Sequence, residues 1–301
     1  MPHADDLLSG AIDLHVHSNP CRFERLLDHA ELARQARETG LRAIVLKSHA
    51  LGTVNTIPFV RQLVPGIDVF GSISLNYDFG GINPFAVDAA LKMGARVIWM
   101  PTVDSRHHLE SHGHGRPGEH PSPNDNLPKA YQRVKGISIV SKAGELIGEV
   151  HDILEMIASA GAVLATGHLS NREILLLVRA AREAGVRIVV DHPHAPFMNM
   201  PIELQEKLAE AGALLNFVFV SVVPDGWELG GFPGGVSVEQ MVSDMRRLGS
   251  KSVVISTDLG QALNPPPVRG LRLFIQALVN HGVPIEDIRT MVQANPAGLL
   301  Y

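Results

Sequence analysis

The sequence predicts a (β/α)8 barrel. Short β-branched apolar runs alternate with segments of helical periodicity, most of those segments close on a glycine, and the runs number eight. An open doubly wound sheet would show fewer strands and a glycine-rich phosphate turn after the first, which this sequence lacks.

The expected strands are Ala11–Val16, Leu41–Lys47, Ile67–Asn76, Ala95–Met100, Ala162–Thr166, Val186–Val190, Ala213–Val220 and Ser252–Thr257. Between them, Asp28 caps a helix that ends at Gly40, and Asn83-Pro84 opens one that ends at Gly94. Ser170 opens a third, ended by Gly185, and Pro201 a fourth, ended by Gly212. This helix-glycine-strand order is what a right-handed βαβ series requires. All 301 residues are read as one barrel domain.

One interval breaks the rhythm. About 101–150, after the fourth strand, forms an insertion that opens with the histidine-, glycine- and proline-rich stretch His107 to Pro128. A loop of this length in a compact barrel is ordinarily a lid, a binding loop or an assembly arm, and equally a solvated insertion with incidental histidines. Its second half, from Gly136 to Ile147, reads as a β-hairpin turning at Lys142 to Gly144.

A net charge of -5 without a Lys/Arg cluster disfavours nucleic acid and anionic membranes as partners. The first ten residues lack the basic and apolar regions of a signal peptide, and no apolar run reaches membrane-spanning length, so a cytoplasmic protein is expected. The single cysteine, Cys21, excludes an internal disulfide and fits a reducing compartment; it lies close to His15 and His17, but a lone cysteine is usually a packing residue. Phe59, Phe79 and Phe85 suggest contact surfaces of a homo-oligomer.

Fifteen histidines stand against three tyrosines and two tryptophans, and their positions carry the chemistry. In a (β/α)8 barrel the active site lies at the C-terminal rim, so residues at strand ends matter most. The first strand ends Asp13-Leu-His-Val-His17, and period-2 alternation turns His15 and His17 to one side. The fifth ends in His168, the sixth in His192 and the eighth in Asp258. Taken singly each is weak; together they are imidazole and carboxylate ligands of the kind zinc prefers, with manganese, iron and nickel also compatible.

The segments Asp13-Leu-His-Val-His17, Gly167-His168-Leu-Ser170, Asp191-His192-Pro193 and Ser256-Thr-Asp258-Leu-Gly260 resemble the strand ends of the amidohydrolase superfamily of metal-dependent hydrolases. The tail Asn295-Pro-Ala-Gly-Leu-Leu300 is similar to that superfamily's closing segment. Leu46-Lys-Ser-His49 and Val97-Ile-Trp-Met-Pro-Thr102 resemble more closely an uncharacterised amidohydrolase-like family of bacterial cytosolic proteins. The resemblance implies that His15, His17 and Asp258 hold a buried metal ion, and His168 and His192 a second, more exposed one. It also implies that Asp258 orients the attacking water, takes its proton and passes it to the leaving group.

The sequence departs from that pattern at the fourth strand, where binuclear members carry a carboxylated lysine or a glutamate and this chain has Val97-Ile-Trp-Met-Pro-Thr102. Lys47, ending the second strand, is the candidate replacement: a lysine beside a cation loses its proton, becomes a bridging carbamate, or keeps its distance as a substrate-gripping cation or salt-bridge partner. His49, Asn76, Asp104 and His194 are candidates for substrate binding, with rim hydrogen bonding as the plainer alternative. Asp13 and Asp191, expected to point away from the ligands on their strands, read as structural.

The leading expectation is hydrolysis of a small amide, cyclic amide, carbamate or lactone. A phosphoesterase of the polymerase-and-histidinol-phosphatase type competes, because that fold opens similarly, although Ser48 stands where an acidic residue is usual. A decarboxylase or other lyase on the same barrel, and a metal-binding protein without catalysis, are the remaining classes.

Overall fold

The computed structural model describes residues 4–112, 135–222 and 235–301. Eight strands follow one another around the sheet: β1 (Ile12–His17), β2 (Ala43–Lys47), β3 (Asp68–Ser74), β4 (Ala95–Trp99), β5 (Val163–Ala165), β6 (Arg187–Asp191), β7 (Leu214–Val218) and β8 (Val253–Ser256). Every neighbouring pair in that series is parallel. Beyond the regular ladders, Asp258 N donates to His15 O and His17 N to Leu259 O, each at 2.8 Å, which closes β8 onto β1. The eightfold series expected from the apolar runs is thus a barrel.

The helices are α1 (Ala4–Leu8), α2 (His29–Glu38), α3 (Ile57–Leu63), α4 (Pro84–Lys92), α5 (Arg106–His112), α6 (Gly148–Ala160), α7 (Asn171–Glu183), α8 (Ile202–Glu210), α9 (Val238–Leu248), α10 (Pro267–Asn280), α11 (Ile285–Arg289) and α12 (Asn295–Leu300). Local chemistry sets their ends. Asp28 with Glu31, and Ser170 with Glu173, form reciprocal capping boxes on α2 and α7. Each long helix lays one apolar stripe on the barrel, such as Leu271, Phe274, Ile275 and Leu278 of α10, and this outer layer forms the larger core.

A smaller core fills the barrel. Ile12, Leu14, Ala43, Val45, Val97, Trp99, Val163, Ala165, Val189 and Val254 meet there, with Leu299 and Leu300 of α12. Arg96 and Arg187, near the starts of β4 and β6, donate to carbonyls of Leu300 and Gly298, so α12 plugs the N-terminal mouth. The C-terminal mouth is left for polar groups. Along β1 the ladder to β2 shifts register between Asp13 and Val16, so Ile12 and Leu14 face inward below the irregularity and His15 and His17 above it.

In the insertion, Ser105 pairs with Ile137 and Val140 pairs antiparallel with Leu146, with Gly144 N donating to Ser141 O at 3.0 Å. The expected hairpin is therefore a single-bridge turn at its Lys142 to Gly144 tip. The lid reading rests on residues 113–134, which lie outside the described residues. Phe59 and Phe85 are exposed, whereas Phe79 packs partly against the core. Among the described residues no helix is long and apolar enough to cross a membrane.

Candidate metal centre

Strand ends bring His15, His17 and Asp258 together. Nε2 of His15 lies 2.9 Å from Asp258 Oδ1, and Nε2 of His17 lies 3.0 Å from the same oxygen. One ligand atom from each of the three falls within 4.8 Å of the others, and all three side chains are buried. One close approach of the backbone and one left-handed residue accompany this convergence. Gly260, at φ +133°, presses on His17 O, where a Cβ would collide, and Asp258 itself holds φ +52°. His192 also has a left-handed backbone, φ +31°, which follows an inward-facing Asp191 on β6.

The donor set fits a cation. His15 Nε2 is 2.9 Å from both Asp258 Oδ1 and Lys47 Nζ. A carboxylate asks that nitrogen for a proton and an ammonium asks it for a lone pair, so no single tautomer serves both. A divalent ion in place of the proton satisfies the imidazole and the carboxylate together, provided that Lys47 is not an ammonium. Among the described residues both ring nitrogens of His192 are buried without a hydrogen-bond partner, which is costly unless something else binds them.

Burial sets the charge states. It pushes His15 down to about 4 and His192 to about 3, and drives His17, His49 and His168 well below the ordinary imidazole range, so these rings are neutral and ligand-competent near pH 7. Burial opposes ionisation of Asp258 too, but the His15 and His17 imidazoles prevail and hold it well below the usual carboxylate range. Lys47, fully enclosed, is lowered by burial, against the pull of Asp258 and Asp191.

Lys47 stands over Trp99, its Nζ 4.4 Å from the ring centroid, and the His15 ring rests 4.6 Å from the same indole. Trp99, the last residue of β4, thus floors the site. His168 and His192 sit beside this cluster, their ring centroids 4.9 Å apart and His192 6.0 Å from His15. They are not part of the three-residue ligand cluster. His49 stacks on His17 at 4.9 Å and bonds Thr102 Oγ1 through Nδ1 at 2.9 Å.

The remaining candidates are engaged in the frame. Asn76 gives its amide to His49 O and Thr102 Oγ1 and accepts from Thr102 N, tying the ends of β2, β3 and β4 together. Asp104 accepts from Tyr77 N at 2.8 Å, and its other oxygen is buried without a partner among the described residues. His194 turns its Nε2 to Asp244 at 2.8 Å and packs its ring on Phe217. Asp13 clamps β1 to β8 through Thr257 N, Thr257 Oγ1 and His15 N, as a structural residue should. Asp191 differs from expectation: it faces inward, with Oδ1 3.9 Å from His15 Nδ1 and Oδ2 accepting from Gly167 N. It therefore faces His15 across a gap longer than a hydrogen bond rather than pointing away.

Two residues escaped the sequence reading. His108 of α5 places Nδ1 2.9 Å from Nδ1 of His168, and Phe197 packs on both rings and on His192. Arg25 is buried beside the cluster. The histidine richness of the insertion was the available signal for His108; nothing in the local pattern marked Arg25.

Solved structures share this fold at low identity. An amidohydrolase from Pseudomonas aeruginosa matches with TM-score 0.63 and 13% identity, over 99% of this chain and 98% of that one. The metallopeptidase dipeptidase AC matches at 0.61 and 15%, over 97% and 98%. An organophosphorus hydrolase from Deinococcus radiodurans matches at 0.57 and 14%, over 99% and 94%. No curated protein matches the chain in sequence. A family model, described as a family of unknown function (DUF6282), matches residues 10–216, more than half of the chain, and to that family the chain belongs.

Proposed function

We propose that the chain is a metal-dependent hydrolase that uses water to cleave a small amide, cyclic amide, carbamate or lactone. The observation that carries this reading is the buried convergence of His15, His17 and Asp258 at the C-terminal mouth of a (β/α)8 barrel. The three relatives in fold named above are hydrolases by their names, which agrees with the reading.

His15, His17 and Asp258 would hold one divalent ion, most simply zinc, and His168 and His192 would serve a second. Such an ion lowers the pKa of water toward neutrality and polarises a scissile carbonyl. Asp258, ionised and fixed by two imidazoles, takes the proton of the attacking water and returns it to the leaving group. His192 offers two nitrogens without protein partners at the same mouth, one for binding and one for orienting. Lys47 acts as a carbamate: its neutral amine attacks carbon dioxide, an N–C bond forms, one proton leaves, and the resulting anion supplies ligand oxygens beside His15. His49 and the unpartnered oxygen of Asp104 face the small-molecule substrate, with Asn76 and His194 holding the rim in place.

Metal analysis of the purified protein, joined to a panel of lactones, amides and phosphomonoesters, tests the reading. At least one ion per chain and carbonyl substrates gaining the mass of water are expected. Turnover of phosphomonoesters alone would overturn it, and loss of carbon dioxide from the product would indicate a lyase.

A further inference from the structure

The segment joining β1 to α2 runs along the mouth of the barrel beside the loop that follows Asp258. Arg25 pairs antiparallel with Gln261, Leu26 N donates to Gly260 O at 3.0 Å, and Gln261 Nε2 donates to Asp258 O at 2.9 Å. The Arg25 backbone is therefore fixed two hydrogen bonds from the proposed base. Its side chain is 5% exposed.

A buried guanidinium is normally matched by a carboxylate, because leaving its charge uncompensated is expensive. Among the described residues Arg25 has no ion pair within reach: its Nε meets only Cys21 Sγ at 3.4 Å, and Nη2 is buried without any hydrogen-bond partner. Phe23 lies between it and the site, 5.7 Å from the Arg25 guanidinium carbon and 5.6 Å from the His49 ring, which itself stacks on His17. The Arg25 charge acts on His15, His17, Lys47 and His49 together, which puts all four within its field. A desolvated guanidinium thus stands beside the metal centre, and among the described residues no carboxylate lies within ion-pair reach of it and its one side-chain hydrogen bond is to the Cys21 thiol.

We propose that Arg25 receives an anionic group of the substrate, a carboxylate or a phosphate, at the unpartnered Nη2 side of its guanidinium. The inference rests on the hydrolase reading for its setting and narrows that reading to substrates carrying a negative group apart from the bond that is cut. Planar bidentate recognition of this kind is what arginine provides and lysine does not.

Calorimetric titration of the metal-loaded chain with inorganic phosphate and with succinate tests this, using wild type, Arg25→Gln and Arg25→Lys, with metal content measured in each. Wild type is expected to bind at least one of the two anions, phosphate identifying a phosphorylated and succinate a carboxylated substrate. Arg25→Gln should weaken that binding at least about tenfold with metal content unchanged, and Arg25→Lys should fall between the two. Wild-type chain that binds neither anion, or Arg25→Gln and Arg25→Lys chains that bind as wild type does, would overturn the proposal while leaving the hydrolase reading intact. A chain without metal in every preparation would sink the hydrolase reading instead, and the Arg25 dependence of anion binding would still be read.

Discussion

Lys47 Nζ lies 2.9 Å from His15 Nε2, so the lysine at the end of β2 occupies the nitrogen that His15 would offer to a cation. The two roles are incompatible while Lys47 is an ammonium. Conversion to a carbamate resolves this, turning a competing donor into an additional acceptor. Labelling with 13C-bicarbonate is expected to give a carbamate carbon resonance in the metal-loaded protein and none in Lys47→Met. The same variant should lose metal affinity and activity by roughly 10- to 100-fold. A metal-loaded wild type without that resonance would leave Lys47 as a cation toward substrate.

Asp258 Oδ1 lies 2.9 Å from His15 Nε2 and 3.0 Å from His17 Nε2, contacts that keep the carboxylate ionised and aimed. Asp258→Asn preserves size and an acceptor oxygen but removes the base. The variant is expected to fold and to retain metal, with kcat reduced by about 10²- to 10⁴-fold. Full activity would remove Asp258 from the proton-transfer role.

The barrel was legible because its signals are local and repeated: apolar runs of strand length, caps at Asp28 and Ser170, and glycines after the helices. Strand boundaries moved by one or two residues, as at β7, where the expected Val220 lies beyond the observed Val218. The meeting of His15, His17 and Asp258 was legible because all three stand at strand ends, which converge at one mouth of a barrel. What escaped depends on geometry that sequence alternation cannot hold. Asp191 was assigned to the wrong face because its neighbour His192 returns to the site through a left-handed backbone, not through period-2 alternation. Asn76 looked like a recognition amide, yet all of its bonding is turned to Thr102, His49 and Asp104, which are distant in the chain. Arg25 gave no signal because an arginine in a loop is ordinarily solvated; only the fold shows that it is not.

The neutral histidines give the metal-free protein a defined acid limit. His15 and His29 are pushed down to about 4, and His192 to about 3, from an ordinary value near 6.5. Between pH 6.5 and those values the unfolded chain takes up protons that the folded chain refuses, so stability falls as the pH falls. His17, His49 and His168 add in the same direction, as does Asp258 once the pH approaches the ordinary carboxylate range. Asp13 and Asp191, raised by burial to about 7, oppose this, because the folded chain keeps their protons where the unfolded chain releases them. Six histidines outnumber two aspartates, so a net loss of stability as the pH falls from 6.5 to 4 is expected in urea denaturation. Stability that is flat across that window would mean the histidines are protonated in the fold.

His108 joins the insertion to the centre. Its Nδ1 faces His168 Nδ1 at 2.9 Å, and its placement is fixed twice: Ser105 Oγ bridges His108 N and His168 O, and His107 Nε2 donates to Phe197 O at 2.7 Å. Gly167, at φ +58° and too close to Met100 O and Pro101 O for any side chain, presses the end of β5 against β4 and so brings His168 under α5. Two facing imidazole nitrogens hold one proton between them, so His108 decides which nitrogen of His168 carries a lone pair. His108→Ala is therefore expected to lower metal retention by about 10- to 100-fold against a competing chelator, the usual effect of removing a partner that orients a ligand. Because α5 is short and the His108 side chain is only half-buried, global stability should change by no more than about 1 kcal/mol. Unchanged metal retention would return His108 to the insertion as an incidental histidine, and a large loss of stability would make its role one of packing.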